Sequence, residues 1–136
     1  PAKAMAKISM RLVPDQTPEA VYEQLVQYMK ENAPEGIKWD IKVEHGGNPS
    51  ISERDGVGVK AMSDAMSTVW GTAPLFKREG GSIPVVGDMQ KILGIESVLT
   101  GFGLPDDRIH SPNEKQDLPT WYRGIDALIH FFYNLG

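Results

Sequence analysis

The sequence contains no cysteine. That excludes disulfides and thiolate metal ligands, so any metal ion must be held by histidine, aspartate or glutamate. It also lacks a basic run. Fourteen Lys and Arg residues are scattered among eighteen Asp and Glu, for a net charge of −4 and a pI near 5.3. A nucleic-acid partner needs a basic surface that neutralises phosphates, so the charge balance argues against one. No apolar stretch approaches the length of a membrane span, and the start shows no charged-then-apolar signal pattern. A cytoplasmic protein without a membrane partner is therefore expected. Histidine is scarce, with three in 136 residues, so each can be weighed individually.

The length suits one domain, or two unequal pieces of a longer protein. The chain opens on Pro1-Ala-Lys without an initiator Met and runs directly into a strand pattern, which reads as a chain cut from something longer. Across 6–13, Ile8, Met10 and Leu12 alternate with Lys7, Ser9 and Arg11, the period of a half-buried strand. Thr17 then offers an N-cap with Pro18 at the first helical position, and Val21, Leu25, Tyr28 and Met29 recur at helical spacing. Ile37, Trp39, Ile41 and Val43 alternate again. Residues 6–44 thus read as a strand–helix–strand unit of the split βαβ kind, too small to be stable without further strands.

A turn-rich segment at 45–50 marks a domain boundary, giving pieces 1–45 and 46–136. Beyond it the spacing predicts helices over 57–70, 85–93 and 118–135, with Gly71 and Gly94 suited to end the first two. Residues 97–102 form a strand candidate, and 103–117 a long polar loop of the kind that often carries function. The fold class expected is α/β.

Two segments carry chemistry. Residues 78–84, Arg-Glu-Gly-Gly-Ser-Ile-Pro, set a guanidinium beside a glycine pair and a hydroxyl, a combination able to hold a carboxylate. A tight turn with a solvated Arg–Glu pair is the plainer reading. Residues 109–115, Ile-His-Ser-Pro-Asn-Glu-Lys, place His110 on a polar loop near Asp106, Asp107 and Glu114. Neutral imidazole is a metal donor, and nearby carboxylates can orient it. A surface histidine is the plainer reading here as well. His130 sits on the last predicted helix and His45 in the turn-rich segment, and neither is favoured as a ligand.

Three strings together carry a resemblance: 11–16 (Arg-Leu-Val-Pro-Asp-Gln), 78–84, and 101–107 (Gly-Phe-Gly-Leu-Pro-Asp-Asp) followed by 110–114 (His-Ser-Pro-Asn-Glu). In this order the chain resembles metallopeptidase family twenty, the co-catalytic zinc family of carnosinase-like dipeptidases, carboxypeptidases and related amide hydrolases. The Ser-Ile-Pro ending at 82–84 looks like the dipeptidase branch.

The resemblance implies an α/β fold in which 1–45 are the second half of a lid, or dimerisation, domain and 46–136 the C-terminal part of a catalytic domain. It implies a dipeptide or small-peptide substrate with a free C-terminal carboxylate, and two zinc ions per intact active site, manganese being the alternative. It carries over His110 as a metal ligand, Arg78 with Gly81 and Ser82 as substrate-binding residues, and Glu114 as a supporting residue. Homodimerisation or self-association through the lid strands follows from the same likeness. The family's other ligands and its general base lie in earlier motifs, a His-x-Asp pair and a Glu-Glu pair among them, and these do not occur in this sequence. The isolated chain is therefore expected to be inactive. The rival expectation is a non-enzymatic dimerisation or binding module with the peptidase fold.

Overall fold

Helix boundaries follow local chemistry. The structure is a computed structural model that describes residues 1–78 and 83–136. Among them run four helices: α1 (Pro18–Asn32), α2 (Val57–Trp70), α3 (Pro84–Leu93) and α4 (Leu118–Leu135). Thr17 Oγ1 accepts the Ala20 N–H at 3.2 Å and Asp117 Oδ2 accepts the Thr120 N–H at 2.9 Å, each satisfying a donor that the first helical turn leaves open. Gly71 and Gly94 end α2 and α3 in the left-handed region, at φ 71° and 63°. A side chain with a Cβ is strained there, which is why both stops were legible in the sequence. α1 stops differently: Ala33 caps it through its own N–H to Met29, and Pro34 follows with no N–H to continue the ladder.

By its contacts the chain divides into two compact units. The first comprises Pro1–Ile51 and Arg78–Ile95, and so contains α1 and α3. Val86 of α3 is buried there, and Gln90 Nε2 donates to the Ile51 carbonyl at 3.0 Å. The second comprises Ser52–Lys77 and Glu96–Gly136, with α2 and α4 packed together. Its core is built from small residues. Ala61, Met62 and Ala65 of α2 and Gly124 and Ala127 of α4 are buried, and small side chains let two helices approach closely. Burying Met62 contributes about 1.5–3 kcal/mol relative to leaving it in water. Asn134 Nδ2 ties the far end of α4 to the Ala61 carbonyl at 3.0 Å. Near the other end, the rings of Trp70 and Phe102 stack at 5.7 Å with planes 7° apart, anchoring the segment that leads into the polar loop.

The strands expected at 6–13, 37–43 and 97–102 are not formed: no described residue belongs to a ladder. Alternation specifies a face, but a strand also needs a neighbouring backbone to pair with. The expected inner face stays open, with Ile8 67% and Val43 61% exposed. What joins the ends of the expected unit is an ion pair, Lys7 Nζ to Glu44 Oε1 at 3.2 Å, between side chains more than half exposed. Such a pair contributes little to stability. Of the strand–helix–strand unit, the helix α1 is what the described residues form.

Candidate functional site

The loop between Phe102 and α4 is shaped by its own backbone and one cation. Leu104 O accepts the Asp107 N–H at 3.1 Å, Arg108 O the Ser111 N–H at 2.9 Å, and Ser111 O the Glu114 N–H at 3.2 Å, a run of tight turns. The Lys115 N–H returns to the Asp107 carbonyl at 3.0 Å. To make these turns, Arg108, His110 and Asn113 adopt φ of 56°, 62° and 62°. Asparagine takes this conformation readily and histidine more often than most residues, while for Arg108 it costs roughly 1–2 kcal/mol. Backbone strain of this kind persists only where the surroundings hold it.

Lys115 reaches both Asp106 and Asp107 of the loop. Its Nζ donates to Asp106 Oδ2 at 2.8 Å and stands 3.6 Å from Asp107 Oδ1. The hydrogen bond from Lys115, and then the ammonium charge, keeps the Asp106 carboxyl below its ordinary value. The same hydrogen bond to Asp106 raises Lys115, although partial desolvation opposes it. At the foot of the loop, Asp117 is lowered chiefly by the Thr120 N–H it accepts in capping α4. Three carboxylates therefore lie close in sequence with different duties. Asp106 is exposed and ion-paired, Asp107 is buried at 1% exposure, and Asp117 caps a helix.

His110 lies exposed at the loop's turn, and its backbone N–H donates to Glu114 Oε2 at 3.3 Å. The structure thus brings together His110 and Glu114, with the glutamate bracing the main chain of the histidine. Arg78 is exposed and belongs to the other unit. Gly81 and Ser82 lie outside the described residues. Beyond them α3 starts at Pro84, and among the described residues no side chain caps its open amides. His130 lines an open cleft of about 370 Å³ in the second unit, with Thr68, Val69, Arg123, Asp126 and Ile129. Asp107 and Lys115 were not singled out for the roles they fill. Adjacent aspartates look alike in sequence, and a lysine eight residues on has no helical or strand register to mark it as a partner.

Metal binding can be judged from the donors present. Among the described residues no group of three or more His, Asp or Glu side chains could hold an ion. The loop fits the role of one imidazole donor, exposed and fixed at its backbone, and does not form a metal site alone.

The match to a family model settles the ancestry, since it spans residues 2–134. The chain belongs to peptidase family M20/M25/M40. The Cys-Gly metallodipeptidase DUG1 of Candida albicans is 34% identical over 97% of this chain, and the human Beta-Ala-His dipeptidase 30% identical over 99%. Those matches cover only 28% and 27% of the two relatives, so the chain spans little more than a quarter of their length. Among solved structures, the dipeptidase Dug1p from Saccharomyces cerevisiae aligns with a TM-score of 0.79 at 25% identity, over 99% of this chain and 32% of that one. The M20 family metallo-carboxypeptidase Sso-CP2 from Sulfolobus solfataricus gives 0.76 at 25% identity, over 98% and 34%. The M20 likeness therefore runs through the whole chain, His110 loop included.

Proposed function

We propose that the protein carrying this chain is a metal-dependent dipeptidase-like hydrolase acting on dipeptides or small peptides with a free C-terminal carboxylate. The observation that carries the reading is the His110–Glu114 loop, strained, braced and exposed, within a chain whose family match covers 2–134. In this reading His110 is one metal donor and Glu114 supports it through the His110 N–H. Arg78 forms two parallel hydrogen bonds to the substrate carboxylate, and Gly81 and Ser82 complete that subsite. Two zinc ions, with manganese as the alternative, supply Lewis acidity and an activated water when bound. The chain's own share is to offer one ligand and to orient the substrate by its charged end. The general base comes from outside these residues.

Residues 1–45 serve as the second half of a lid and 46–136 as the end of a catalytic domain. The alternating faces at 6–13 and 37–43 join a sheet once neighbouring strands are supplied, which makes them the natural dimer or self-association surface. The test is hydrolysis of a dipeptide panel with zinc or manganese. Metal-dependent turnover is expected of the full-length protein and none of the 136-residue chain alone. Turnover by that chain alone sinks the division of labour.

A further inference from the structure

Both ends of the strained loop converge on one buried residue. Asp107 is 1% exposed, its N–H and its Oδ2 both engage Leu104, and its carbonyl accepts the Lys115 N–H. The Leu104 N–H reaches Oδ2 at 2.7 Å, whereas the buried Oδ1 has no hydrogen-bond partner among the described residues and faces Lys115 Nζ at 3.6 Å. Ile109, in the same loop, is 54% exposed. A buried carboxylate oxygen without a hydrogen bond is expensive. The carboxylate therefore has a task that packing does not explain. Its position, between Leu104 at the entry and Lys115 at the exit, encloses Arg108, His110 and Asn113, the loop's three residues held at positive φ.

Resting on the reading of His110 as a metal donor, we propose that Asp107 is the positioning residue that fixes the direction of His110, with Lys115 as the partner that closes the loop. Asp107 touches neither substrate nor metal in this scheme. It acts through the backbone that carries the imidazole. The unbonded oxygen has a use as well: facing the ammonium, it draws the loop's exit toward its entry.

Two variants of the full-length protein test this. Asp107→Asn keeps the shape and an acceptor for the Leu104 N–H but removes the charge facing Lys115. Lys115→Met removes the other partner from a half-exposed site, and so is informative even if the buried variant folds poorly. Zinc affinity is measured by chelator competition, and amide exchange across 104–115 is followed in metal-free protein. Asp107→Asn is expected to weaken zinc about 10–100-fold, the usual effect of losing a group behind a ligand. Lys115→Met should shift it in the same direction by less. Exchange should quicken in both, and excess zinc should restore turnover. If both variants merely melt earlier and bind zinc as wild type does, while His110→Ala has lost its zinc, the positioning role is overturned. A His110→Ala variant that keeps its zinc overturns instead the ligand reading beneath it.

Discussion

The ring of Phe102 lies against the backbone of Gly124 so closely that a Cβ added there would stand 2.5 Å from Phe102 Cδ2. The ring has little room to retreat, because it also stacks on Trp70. Two effects compete in Gly124→Ala. Helix propensity favours alanine by up to about 1 kcal/mol. Overpacking costs about 1–3 kcal/mol. The clash is with a held aromatic ring rather than a free side-chain end, so net destabilisation is expected. Urea unfolding checks it: the midpoint should fall with the slope unchanged, and a rise would show that the ring yields.

The ionic clamp on the loop has a defined pH window. Asp106 and Asp117 are depressed in the folded state, so their stabilisation is full above the ordinary carboxylate value of 3.8 and is lost as pH falls through their lower folded values. Lys115 is raised, so its contribution is present below 10.5 and disappears only as pH climbs through its higher folded value. Melting temperature followed against pH should therefore drop on the acid side, and Asp106→Asn should flatten part of that slope. An acid limb identical in the variant contradicts the clamp.

Arg78 is expected to read the substrate's charged end. In the full-length protein, Arg78→Ala should lower kcat/KM for free-carboxylate dipeptides by about 10–100-fold, the loss of a charge-assisted hydrogen bond worth about 1.5–3 kcal/mol. Amidated analogues, already without the charge, should change far less. Equal losses for both substrates reject the clamp.

The sequence was most legible where a local rule decides the structure. Thr17 caps a helix through a hydrogen bond to the residue three places on, and Gly71 and Gly94 stop helices because of their own backbone freedom. Period alone located α2 and α4. The strands were the opposite case, since the alternation of Ile8 and Met10 is a local pattern whose outcome depends on a partner backbone elsewhere. The site divides in the same way. The Glu114 carboxylate meets the His110 main chain through a short-range hydrogen bond, while the burial of Asp107 and the reach of Lys115 depend on the loop's tertiary shape.

The central claim is that His110 is a metal ligand of a dipeptidase-like enzyme. Metal content per chain, measured on purified full-length protein beside its intact mass, tests that most directly when wild type and His110→Ala are compared. The account predicts bound zinc or manganese in the wild type and a clear loss in the variant, with the fold retained. Unchanged metal content in His110→Ala would contradict it.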